Sequence, residues 1–146
     1  MNRRLLLSLA FTLSTSAVAA DLRGLALIGA DGTFLGTCDG VYGATSITNT
    51  SSPYGNPASP TSIYNPRGPY GSVDGTYSAF RTVLSQPPYL VGVEPDVLEQ
   101  LTRPGFREPT ELLKALEASP TPRITVNRTS PFAFNPTELR EACQNL

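Results

Sequence analysis

Histidine and tryptophan are absent from the 146 residues, methionine occurs once and cysteine twice. Without histidine, neither a Ser-His-Asp nor a Cys-His nucleophile system can be built, and a histidine-ligated zinc or copper site is excluded as well. The only lysine, Lys114, is the one candidate for a Ser-Lys pair. It lies between apolar residues of a helical pattern, three positions from Glu111, and reads first as solvated helix face. Charge of one sign is scarce too. With residues 1–20 removed, nine basic residues face twelve acidic ones, a net charge of about −3, which disfavours nucleic acid as a partner. No motif calls for a cofactor.

What is abundant is turn chemistry. Fourteen prolines and twelve glycines shorten every regular element, while an apolar content of 40% is ordinary, so a folded, loop-rich domain is expected instead of disorder. Residues 1–20 carry Arg3 and Arg4, an apolar run from Leu5 and a closing Ala17-Val18-Ala19-Ala20, the layout of a secretory signal peptide. Ser8, Thr12 and Ser14–Ser16 interrupt the run, against a retained membrane anchor. The mature product over 21–146 is then one exported domain, periplasmic or extracellular, with no membrane span after processing.

The most informative stretch is 42–80, where a short unit is written more than once. Thr45-Ser46-Ile47 with Asn49 and Pro53-Tyr54-Gly55 recurs sixteen residues on as Thr61-Ser62-Ile63 with Asn65 and Pro69-Tyr70-Gly71. A shortened copy precedes at Tyr42-Gly43, and a decayed one follows at Ser78-Ala79-Phe80, where Arg81 takes the asparagine slot. Ser, Thr and Asn fold onto nearby backbone, glycine supplies positive φ and proline fixes φ, so the unit should consist of successive turns. Ile47, Ile63, Tyr54, Tyr70 and Phe80 are the apolar groups available to point inward. Two good copies are too few for a free-standing array, so the units must lean on something else.

These residues, with Phe34-Leu35-Gly36, Pro87-Pro88, the closing Ile124-Thr125-Val126-Asn127 and Pro136-Thr137-Glu138-Leu139, resemble small exported bacterial proteins, deinococcal and cyanobacterial ones among them, that carry the same Ser-Ile-x-Asn and Pro-Tyr-Gly-Ser repeat. The resemblance covers 25–93 and 123–146, with 94–122 as a helical insertion. It implies export from a bacterium and brings no mechanism with it.

Around the repeat, Leu25–Thr37 reads as a hairpin turning at Asp31-Gly32, a favoured type I′ pair, which sets Ile28 opposite Leu35 and Leu25 opposite Cys38. Tyr89–Val93 is a further strand that Pro87 and Pro88 confine to starting after 88. Arg123–Asn127 alternates as a half-buried strand with Ile124 and Val126 inward. Three short helices begin at Pro95, Pro109 and Pro136, with apolar faces Val97/Leu98/Leu101, Leu112/Leu113/Leu116 and Leu139/Ala142/Cys143/Leu146. Proline suits the first helical position, and Asp96, Glu111 and Glu138 sit near the positive dipole ends.

Cys38 and Cys143 make a lone pair, which in an exported protein is most simply a disulfide; two buried free thiols or a redox pair are the alternatives, and Cys-x-x-Cys spacing is missing. Asp74 with Asp39 or Glu94 could form a glycosidase-type pair, but Asp39-Gly40 and Asp74-Gly75 read first as turn dipeptides. Asn49, Asn65 and Asp74 are weak candidates for calcium, with turn formation the competing role. Tyr54, Tyr64, Tyr70 and Tyr77 would stack on glycan rings or a partner peptide if exposed, and fill the core otherwise.

The expectation is therefore an α+β, disulfide-tied domain: a β-hairpin, further short strands, a turn-rich repeat and two or three short helices. Its expected role is non-enzymatic, as an exported structural or binding protein whose partner is an envelope polymer or protein. A calcium- or glycan-binding module and an inhibitor of a secreted protease are the alternatives.

Overall fold

The computed structural model describes residues 22–103, 110–118, 120–127 and 133–146. The expected signal peptide at 1–20 and the helix-opening Pro109 lie outside them. The elements in chain order are β1 (Ala26–Ile28), β2 (Phe34–Thr37), β3 (Tyr89–Val91), α1 (Pro95–Leu101), α2 (Thr110–Ala118), β4 (Arg123–Ile124), β5 (Ala133–Phe134) and α3 (Pro136–Gln144). The strands form one mixed sheet in the order β2-β1-β3-β4-β5, antiparallel except for the parallel pair β4–β5. A small α+β domain tied by a disulfide results, as the sequence implies.

The hairpin is where expected, but its turn is not. The Gly29 amide donates to the Thr33 carbonyl at 2.7 Å and the Gly32 amide to Gly29 at 2.8 Å, while Asp31 accepts from the Thr33 amide. Only Gly32 of this loop has positive φ, +93°. A type I′ turn needs two such residues, so the chain makes a longer turn that leaves through the left-handed glycine. In consequence Ile28 faces Phe34 instead of Leu35. A bulge then restores the expected register further out: Ala26 faces Thr37, and Cys38 donates to Leu25. Gly36, at φ +114°, lies within the bulge, where a left-handed residue fits.

Both faces of the sheet are covered, and the alternation of side chains sorts them. Leu27, Leu35, Leu90 and Ile124 join Ile47, Ile63, Tyr70 and Ala79 of the repeat and Leu139 and Cys143 of α3. Ala26, Ile28, Phe34, Tyr89 and Val91 pack instead on Leu101 of α1 and Leu116 of α2. α1 and α2 thus cover one face, joined there by Tyr54 of the repeat, and the rest of the repeat with α3 covers the other. The apolar helix faces fall as the spacing predicts, with Leu101, Leu116, Leu139 and Cys143 buried. Proline opens α1 and α3, and Asn135 caps α3 by accepting from the amides of Thr137 and Glu138.

Two further expectations at 123–127 change. The strand ends at Ile124, and Thr125 is buried while Val126 is only half-buried. Here the Thr125 amide bonds Phe134 of β5 and the Val126 amide bonds Ala79 of the repeat, so the chain leaves simple alternation to reach two partners. Cys38 and Cys143 form the disulfide, with Cα atoms 5.2 Å apart and a sequence separation of 105. It joins the end of β2 to α3.

Candidate functional site

The repeat is a spiral of consecutive β-turns. From Gly40 to Ser78 each corner carbonyl accepts the amide of the next corner, and the corners are Gly40, Gly43, Ser46, Asn49, Ser52, Asn56, Ser59, Ser62, Asn65, Gly68, Ser72, Gly75 and Ser78. The steps are three residues long except Ser52 to Asn56 and Gly68 to Ser72, which are four. Four short steps and one long one give the sixteen-residue offset seen in the sequence.

Only Gly, Ser and Asn occupy corners, and the reason is local. All nine corners that carry a hydroxyl or amide accept, through their side-chain oxygen, the amide two residues on, at 2.9–3.3 Å. Such Asx- and ST-turns reinforce each backbone turn. The position after a corner has no turn role for its own amide, so proline fits there and presets φ. Pro53, Pro57, Pro60, Pro66 and Pro69 all stand at that position and all are exposed. At the same position, Ile47, Ile63 and Ala79 instead turn to the sheet and are wholly buried.

Successive turns lie on one another. The Asn49 side-chain amide donates to the Gly43 carbonyl at 2.8 Å, and that of Asn65 to Ser59 at 2.9 Å, each two corners back. A Cβ on Gly55 would run into the Asn49 carbonyl, and one on Gly71 into that of Asn65. Glycine here gives room and not positive φ: among the described residues φ is positive only at Gly24, Gly32, Gly36 and Leu84. This corrects the expectation that glycine serves the repeat through its left-handed freedom.

The spiral is bolted to the hairpin. Thr37 donates to Thr45 at 2.9 Å and accepts from Ile47 at 3.0 Å, which occupies the outer edge of β2. The Tyr70 hydroxyl reaches Asp31 at 2.7 Å and Thr33 at 2.9 Å. At its far end Arg81 holds the asparagine slot, donating to the carbonyls of Asp74 and Val83. A guanidinium cannot accept an amide, so the turn series stops there.

The candidate tyrosines all belong to the core. Tyr70 is buried, while Tyr54, Tyr64 and Tyr77 are half-buried against the two clusters. Tyr54 meets Phe34 edge-on at 5.1 Å and Tyr64 meets Phe80 at 6.4 Å. The Tyr64 hydroxyl donates to the Pro136 carbonyl at 2.7 Å, with the Arg140 guanidinium 4.9 Å from its ring. Burial pushes the Tyr64 phenol well above its usual range, and pushes Tyr70 up to about 12. Among the described residues Tyr42, 94% exposed, is the aromatic that projects, and of the two places open to the four tyrosines the packing favours the core.

The weak metal candidates are turn residues here. The side-chain oxygens of Asn49 and Asn65 accept the amides of Ser51 and Arg67. Asp74 is exposed. Among the described residues no group of three or more His, Cys, Asp or Glu gathers to hold an ion. Asp39 accepts from the Gly40 amide, and Glu94 stands before α1 with a side chain that makes no cap hydrogen bond. Lys114 is exposed on α2.

Sequence reasoning found the repeat but not its beat. The signal was present, since Gly, Ser or Asn recurs every third residue from 40 to 52, from 56 to 68 and from 72 to 78. Comparison with protein-family models, with curated proteins and with solved structures gives no match.

Proposed function

We propose that the chain is a non-catalytic exported protein of the bacterial envelope or extracellular space, and that its turn spiral presents a rigid surface to an envelope polymer or protein. The supporting observation is the division of labour within the spiral. Its corner side chains are committed to their own turns, while five prolines project outward in fixed positions. A surface locked before binding loses little conformational freedom on association. The disulfide fits an oxidising compartment, and among the described residues no helix is long and apolar enough to cross a membrane.

The test is co-sedimentation of the folded mature protein with purified envelope, with and without calcium. Retention that is weakened by Pro57→Asp with Pro66→Asp supports the reading. Protein that stays in solution under every condition removes it, and retention only with calcium transfers the function to a calcium-dependent module.

A further inference from the structure

The exposed apolar side chains gather at two kinds of place. Val41, Tyr42 and the 68% exposed Val73 stand between corners of the spiral, inside the turns Gly40–Gly43 and Ser72–Gly75, whereas Val83 and Leu84, 65% and 87% exposed, occupy the tip of the connection from spiral to β3. Their backbones differ. Tyr42 sits inside a closed turn, with the Gly43 amide bonded to Gly40 and that of Ser46 to Gly43. Among the described residues, the backbone of 82–85 makes one hydrogen bond, from Arg81 Nε to the Val83 carbonyl. Leu84 also has φ +53°, a region disfavoured for a residue with a Cβ. The ends of the segment are held by Arg81 and by the Gln86 amide on Thr76, 2.7 Å.

We propose that the Leu84–Ser85 peptide bond is a proteolytic processing site for an endopeptidase with an apolar primary pocket, and that the Cys38–Cys143 disulfide keeps the two products as one molecule. Exposed tips with few backbone bonds are where chains are cut. To enter a protease cleft the segment must be drawn out straight, which here breaks the Arg81–Val83 bond and, two residues past the cut, the Gln86–Thr76 bond, and releases a left-handed leucine. Water then adds across the amide: the C–N bond breaks, one oxygen stays on Leu84 as a carboxylate, and Ser85 leaves with the α-amino group. Cys38 lies before the cut and Cys143 after it. The pairing of β1 with β3 also crosses it, so the nicked protein keeps its sheet.

The experiment is limited digestion of the oxidised mature protein with chymotrypsin, followed by intact mass before and after reduction. The first product should be heavier by one water and should separate only on reduction, into a fragment ending at Leu84 and one beginning at Ser85. Leu84→Gly, which removes the side chain and tolerates the backbone, should slow this cut by about tenfold or more while melting at the same temperature or above. A first cut elsewhere, Tyr42 included, overturns the proposal, as does an unchanged rate for Leu84→Gly. A stable complex with uncut protein also overturns it, and makes the same loop an inhibitor.

Discussion

The two faces of the sheet are covered by different physics. Over Ala26, Ile28 and Tyr89, two short helices contribute apolar side chains that could be exchanged for others of similar volume. Over Leu27, Leu35 and Leu90, the spiral contributes Ile47, Ile63 and Ala79 from a backbone fixed by turns at every third or fourth residue. The helical cover should slide more readily than the spiral to relieve a change. Burial alone therefore does not measure how severely a substitution will be felt.

The largest effect tests the tie between β2 and the spiral's layer. Cys38→Ser should lower stability by up to about 4–5 kcal/mol on the chain-entropy account of a long closed loop, seen as a lower urea midpoint for the oxidised protein and no difference once both are reduced. Gly36→Ala comes next. Its new Cβ would sit 2.7 Å from Tyr54 Cβ and 3.0 Å from Ile47, at φ +114°, so strain and overpacking together should cost about 3 kcal/mol or more. Gly24→Ala has positive φ but open space and should cost about 1 kcal/mol. Equal losses at the two glycines would mean that the approach of the spiral is not the constraint.

A second pair compares the faces directly. Ile63→Ala and Leu116→Ala both truncate fully buried side chains, and such changes cost about 2–5 kcal/mol depending on how far the site collapses. The spiral side should fall near the upper end and the helix side near the lower, by denaturant titration. Parity would show that the spiral relaxes as readily as a helix pair.

This contrast also explains what the sequence made legible. The helices were readable because proline at the first position and apolar spacing are local signals, and Leu101, Leu116 and Leu139 are buried as that spacing requires. The outer hairpin register was readable from its apolar strands, but Asp31-Gly32 serves a type I′ turn and a longer turn equally well, and the choice shifted Ile28 onto Phe34. β5 left no trace, since Ala133–Phe134 is two residues long and shows no periodicity. The tyrosines could not be placed because the residue has an apolar ring and a polar tip. Only the fold shows that the Tyr64 and Tyr70 hydroxyls have partners 72 and 39 or fewer positions away.

A smaller effect isolates the spiral's own bonding. Asn65→Ala removes one donor to Ser59 and one acceptor for Arg67, for a loss of about 1–2 kcal/mol. Asn65→Asp keeps the acceptor and should recover part of that loss. If Asp is no better than Ala, the reach to the Ser59 carbonyl carries the whole effect.

The finest comparison is alkaline. Tyr70 on the spiral side is pushed up to about 12 from its usual 10, first by burial, and its folded value therefore exceeds the unfolded one. A group raised in this direction contributes its stability fully below pH 10 and loses it as the pH climbs toward 12, because the unfolded phenol ionises first. By pH 11 the loss from Tyr70 should be about 1 kcal/mol, and Tyr64, also raised by burial, adds to it. On the helix side burial raises Tyr89 as well, but the Arg123 guanidinium, 4.0 Å from its ring, opposes the rise. Tyr70→Phe should then flatten the fall in stability between pH 10 and 12 more than Tyr89→Phe does, by urea titration at each pH. A steeper contribution from Tyr89 would place the alkaline weakness under the helices and not in the spiral.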